Sequence, residues 1–306
     1  MRDPDFEKNL FITYLDEVTA YDLGAYSYTA IASISMKKDY YINNIEARWK
    51  ELRKKYCIPE GTCLHFTDIK ALLNNKYFNR PEKERNFNIE KAFCNGKVVD
   101  KDKLYNFYID IIKIINECEF DVLITGARYD KSSNLKKHKT QMQNNWYTLF
   151  KGHLDNLAEY MVFKSENNKK RKLYSTKLRY DGDEYLESKP HIIHAYADTI
   201  CNGTSRFNTD HCRKCFNSLK FIGKEEVGSV KEISHAGMEL LDFIALYAVK
   251  YDIKDIMIED YIKFKNVSYE EAEKYVNKQI KIYIGEKDIY PHKSIENKIY
   301  KNGYVS

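Results

Sequence analysis

The sequence predicts an α/β layer fold, a mixed central sheet flanked by helices. Three observations carry this. Two strand-like runs near the start, residues 10–16 and 25–35, are joined through Tyr21-Asp22-Leu23-Gly24 and read as a hairpin. Helix-like and strand-like segments then alternate. Finally, residues 235–250 are apolar nearly all round, as a buried helix is. With hydrophobic residues at 43% and charged residues at 31% of 306, a disordered chain is excluded.

Taken in order, Ile42–Tyr56 reads as a helix, and Cys63–Asp68 is short and extended. A helix then starts near Asp68, a residue type suited to an N-cap. The stretch 75–100 is polar and ambiguous. Leu104, Tyr108, Ile111, Ile112 and Ile115 recur at helical spacing over Leu104–Glu117. Phe120–Ala127 follows as a buried strand. Trp146–Val162 is an amphipathic helix with Leu149, Phe150, Leu154, Leu157 and Met161 inward. A strand at 173–181, a helix over Pro190–Cys201, a strand within 217–233 and the apolar helix complete the order. After residue 251 the chain is charged and helical, with Ser268-Tyr269-Glu270-Glu271 as a capping box.

Net charge is +5, which permits a polyanionic partner without requiring one. The clusters Lys136–Lys139 and Lys169–Lys172 are either solvated loops or phosphate contacts. The start has no apolar h-region, and no apolar run approaches the roughly 20 residues of a membrane span. With seven scattered Cys, reduced thiols and a cytoplasmic protein without a membrane partner are expected. His211, Cys212 and Cys215 have a spacing that zinc uses. Cys57, Cys63 and His65 would have to make the second half of a four-ligand site.

The chemistry is in the acids. Asp242 sits in the apolar helix between Leu241 and Phe243. A buried carboxylate is costly unless paired, hydrogen-bonded or bound to a cation. Glu239 lies three residues earlier on the same face, so a cation is a natural mediator. The alternative is an aspartate at the core rim, capped by an arginine or a backbone amide. Asp16 and Glu17 end the first strand-like run, and neighbours in a strand face opposite ways, so at most one of them need face a common site. Asp181, Asp183 and Glu184 follow the 173–181 strand around Gly182, where a turn explains acids equally well.

These residues resemble a family. The strand ending in Asp16-Glu17, the His65-Phe66-x-Asp68 segment, the later strand ending in Asp181, and Ser234-x-x-Gly237-Met238-x-x-x-Asp242 leading a buried helix are similar to the bacterial family named domain of unknown function 3800. The resemblance covers about residues 8–252 and implies a ribonuclease-H-like domain over 1–252, with 253–306 as a C-terminal helical extension. It also implies metal-dependent, nuclease-like chemistry. This chain departs from the family's pattern in Val18-Thr19 after Glu17, in Glu239 and Leu241, and in Gly182 between acids.

Phosphodiester hydrolysis by two metals needs hard oxygen ligands from several elements. Asp16, Asp181 and Asp242 would supply three, with Asp183 and Glu239 as further ligands to Mg²⁺ or Mn²⁺. His65 would shuttle a proton or contact a phosphate, unless it is a packed structural histidine. Glu17 would flank the site. His235 would lie near its mouth or serve capping. The expected function is a metal-dependent phosphodiester hydrolase acting on nucleic acid. The alternative is a non-catalytic ribonuclease-H-like module that binds nucleic acid or a partner protein. Gly-rich phosphate loops, GxSxG elbows and locally activated cysteines are absent from the sequence.

Overall fold

The computed structural model describes residues 9–23, 25–59, 62–73, 76–130, 135–166, 173–182, 186–222, 236–284 and 287–300. Within these, it describes every side chain except those of 130, 135–144, 283–284 and 292. β1 (Leu10–Asp22) and β2 (Tyr26–Lys37) form the long antiparallel hairpin, with Tyr14 opposite Ile34 and Asp16 opposite Ala32. β1 continues six residues beyond Asp16 because Val18, Ala20 and Tyr21 still have a core to enter. The two acids therefore sit within the strand, not at its end as the sequence suggests.

The helical path after β2 begins at Lys38–Tyr40, passes through a π-helical stretch at Tyr41–Glu46 and continues as α1 (Ala47–Lys55). α2 (Phe66–Leu73) and α3 (Phe87–Phe93) follow. The ambiguous stretch thus holds a helix, followed by a small hairpin of β3 (Cys94–Asn95) and β4 (Val98–Val99). α4 (Lys101–Glu117) leads into β5 (Asp121–Asp130), and α5 (Leu135–Glu166) into β6 (Ser175–Asp181). Then come α6 (Lys189–Asn202), α7 (Thr209–Cys215), β7 (Phe216–Ile222) and the apolar α8 (Ala236–Asp252).

The main sheet has five strands in the order β5-β2-β1-β6-β7. β2 is antiparallel to both β1 and β5, whereas β6 is parallel to β1 and β7 parallel to β6. The β1–β6 pairing runs from Leu10 with Ser175 to Leu15 with Tyr180.

Period-two alternation separates two cores across this sheet. Ile12, Tyr14, Val18 and Ile34 pack with α8, α1, α2 and α4. Phe11, Leu15, Ile31, Leu178 and Tyr180 pack with α5, α6 and α7 on the other face. α8 approaches β1 closely at Gly237, where a Cβ would stand 2.1 Å from the Tyr14 ring. Only glycine fits that contact.

The C-terminal part comprises α9 (Lys254–Lys265), α10 (Tyr269–Gln279), a hairpin of β8 (Ile282–Ile284) and β9 (Lys287–Ile289), and α11 (Pro291–Ile295). Ser268 caps α10 by accepting the N–H of Glu271. Met257, Ile258, Ala272, Val276 and Ile295 belong to the α8-side core. Asp260, buried, accepts from Tyr21 and Arg128. The core therefore continues across residue 252. Among the described residues, no helix is long and apolar enough to cross a membrane.

Candidate functional site

Strand alternation assigns the two acids of β1 to opposite faces. Glu17 is on the Tyr180 face, where its carboxylate accepts from the Tyr180 hydroxyl at 3.1 Å and from Ser188, just before α6. Burial pushes the Glu17 carboxyl up, the two hydroxyl donors pull it back, and the charge of Asp181 adds to the rise. Asp16 is on the α8 face and half-buried, with one oxygen accepting the N–H of Glu17 at 2.8 Å.

Asp181 is the last residue of β6. Because Leu15 pairs with Tyr180, one step further along the parallel ladder sets Asp16 beside Asp181, and register neighbours share a face. Both are half-buried. The charges of Glu17, Asp16 and Asp181 all reach the buried Tyr180 phenol and help burial to raise its pKa. These acids thus gather where the β1–β6 pairing stops.

Asp242 has different surroundings. Its Oδ2 accepts the N–H of Phe66 at 2.9 Å and lies 3.9 Å from His65 Nδ1. Its charge contributes to raising the buried Tyr108 phenol on α4, after burial and Tyr247. Five residues separate it from the sheet-facing Gly237, about 140° round the helix. The described contacts therefore join Asp242 to His65 and the start of α2, whereas strand register sets Asp16 beside Asp181. Among the described residues, no group of three or more His, Cys, Asp and Glu is placed to hold a metal ion.

Glu239 is fully engaged. Its oxygens accept from Arg53 Nη1 at 2.7 and 2.9 Å, from the N–H of Leu64 at 2.9 Å and from Trp49 Nε1. Glu239 meets the Arg53 guanidinium, which also donates to the carbonyls of Pro59 and Thr62; the contacts given for Asp242 are with Phe66 and His65. Glu239 pins the 59–64 segment onto α8 and has no oxygen free for a metal. We therefore remove it from the candidate ligands. α2 begins at Phe66, two residues before Asp68. The N–H groups of Asp68 and Ile69 donate to the His65 carbonyl, and the Asp68 carboxylate pairs with Arg80 at 2.6 Å.

The zinc alternative has its halves on opposite sides of the sheet. Cys212 and Cys215 are buried in the Tyr180-side core, and burial raises both thiols. His65 is next to Asp242, with Leu64 and Phe66 in the α8-side core. Asp183, Ser234, His235 and Lys169–Lys172 lie outside the described residues, as do the side chains of Lys136–Lys139.

Sequence reasoning missed two arginines. Arg53, four residues from Trp49 on α1, shares Glu239 with it. Arg179 stands between Leu178 and Tyr180 on β6, on the face of Asp181, and is only 5% exposed. The signal for Arg179 was an arginine flanked by buried-type residues in a strand; Arg53 left none.

Compared with protein-family models, curated proteins and solved structures, the chain matches none.

Proposed function

We propose that the chain is a ribonuclease-H-like, metal-dependent phosphodiester hydrolase acting on nucleic acid. The observation that carries this reading is the pair Asp16 and Asp181, half-buried on one face of adjacent parallel strands. The sheet supports it. In chain order its strands lie third, second, first, fourth and fifth, with the last two parallel to the first, as in ribonuclease-H-like sheets.

The donor set fits one hard cation. Mg²⁺ is commonly held by one or two carboxylates, with water and substrate phosphate completing the shell. Asp16 and Asp181 would hold it, and it would supply Lewis acidity toward a phosphate oxygen. A second ion through Asp242 has no support in the described contacts. Asp242 enters the proposal through His65, whose Nδ1 it faces and whose ring is about one-third exposed. That histidine would carry a proton to or from solvent.

A second reading, a non-catalytic module that binds nucleic acid or a partner protein, is favoured by one specific feature. The only other acid of α8's first half, Glu239, is tied to Arg53 and a backbone amide. Cleavage separates the two. Labelled single- and double-stranded DNA and RNA, incubated with Mg²⁺ or Mn²⁺, should be cut, and EDTA should stop it. Binding without cleavage on all four substrates with either ion would leave the module.

A further inference from the structure

Among the described residues, Arg179 is a buried cation without an anionic partner. It is 5% exposed, yet its guanidinium makes one hydrogen bond among the described residues, to the carbonyl of Leu178 at 3.1 Å. Its Nε has no partner among the described residues. A buried charge left in this state costs several kcal/mol, and arginines that are buried normally meet a carboxylate or phosphate in a bidentate pair. Burial lowers the guanidinium's pKa, though it starts so high that the charge remains.

Its neighbour across the ladder is Tyr14, in register on β1 and fully buried. The Tyr14 hydroxyl makes no well-formed hydrogen bond among the described residues either; its polar neighbour is the Tyr41 hydroxyl, which adds to burial in raising its pKa. Two unsatisfied polar groups side by side in a core are unusual, since nearly all such groups are paired. Both are on the α8 face, one alternation step before Asp16 and Asp181. Residues i and i+2 of a strand are roughly 7 Å apart. The pair therefore lies one alternation step inward from the half-buried acids Asp16 and Asp181 on the same face.

We infer that Arg179 and Tyr14 form an anion subsite for a phosphate group, seated beneath Asp16 and Asp181. The inference rests on the hydrolase reading for its place in a reaction, and it deepens that reading. A metal held by the two acids and a guanidinium one step inward would grip one phosphate from two sides. The planar fork of arginine suits two phosphate oxygens at once, and the phenol O–H donates to a third. Arg179 is thus a positioning group for the phosphate, and it fixes the substrate class as a phosphate ester.

Inorganic phosphate is the probe, titrated into the full chain in EDTA, against chloride at matched ionic strength. The wild type should bind it in calorimetry, and a saturating concentration should raise its melting temperature by roughly 3 °C. Arg179→Met should lose both effects. It should also melt at or above the wild-type temperature without phosphate, because it removes an unpaired buried charge. Tyr14→Phe should weaken binding several-fold while leaving the fold intact. A wild type that ignores phosphate, a variant R179M that binds it as well as wild type, or an R179M that unfolds or melts far lower, would each overturn the subsite. The hydrolase reading fails differently. Phosphate binding through Arg179 without metal-dependent cleavage sinks the hydrolase and leaves the anion site standing, whereas cleavage with no phosphate effect does the reverse.

Discussion

The carboxylate of Asp242 accepts the backbone N–H of Phe66 at 2.9 Å, so an acid in the middle of one helix caps the first turn of another. The first N–H groups of a helix have no partner of their own, and a negative charge there also meets the helix dipole. This explains how an aspartate persists in the apolar α8. Of the two readings open in the sequence, capping by a backbone amide accounts for the Phe66 contact.

Asp242→Asn keeps an acceptor oxygen and loses only the charge. It should cost less than about 1 kcal/mol in urea unfolding. Asp242→Leu removes the cap and should cost about 1–2 kcal/mol. Equal losses in the two variants would show that charge, not the hydrogen bond, matters here.

Glu239 and Arg53 are a buried ion pair, with side-chain exposures of 3% and 16%. Removing one member strands the other, so Arg53→Met should destabilise by about 3–5 kcal/mol. The double variant R53M with E239L removes both charges and should recover part of that loss. A double variant no more stable than the sum of the singles would mean that the two residues act independently.

The layer architecture was readable in the sequence because it depends on periodicity. The hairpin and the helical Leu104–Glu117 segment have patterns of period two and about 3.6, α8 is a nearly continuous apolar run, and all three form where these patterns put them. The end of β1 was misread because acids are common in turns, yet Asp16 and Glu17 lie inside a long strand whose later residues are still apolar. The site was half legible. Asp16 beside Asp181 follows from two strands that become neighbours, and acids at strand ends hinted at it. What Glu239 and Asp242 touch did not follow, because Arg53, Leu64 and Phe66 reach them through tertiary packing, some 175–186 residues away along the chain.

His153 is fully buried on α5, with Nε2 on Ser33 Oγ at 2.9 Å and Nδ1 on Thr125 Oγ1 at 3.0 Å. Burial lowers its pKa from 6.5 to about 3. The unfolded chain therefore takes up a proton below pH 6.5 that the folded chain refuses. The histidine's contribution to stability is complete above pH 6.5 and is lost as pH falls toward 3. Guanidinium unfolding at pH 7, 5 and 4 should show a wild-type slope steeper than that of His153→Gln by up to roughly 1.4 kcal/mol per pH unit. Parallel slopes would mean that the imidazole ionises inside the folded protein.

The two faces of β1 give the most direct test of where chemistry takes place. Asp16 and Asp181 share the α8 face, whereas Glu17 is on the other, bonded to Ser188 and Tyr180. Asp16→Asn and Asp181→Asn should each lower Mg²⁺-dependent cleavage by at least about a hundredfold, because they weaken a cation that acts on charge developing in the transition state. Nucleic-acid affinity should change little, since it comes mainly from Lys and Arg contacts to phosphates, and salt should weaken binding of all forms alike. Glu17→Gln should leave turnover within a few-fold of wild type despite being the adjacent residue. If Glu17→Gln abolishes cleavage while Asp16→Asn does not, the reacting phosphate lies on the Tyr180 face, and both the Asp16–Asp181 metal site and the Arg179 subsite are in the wrong place.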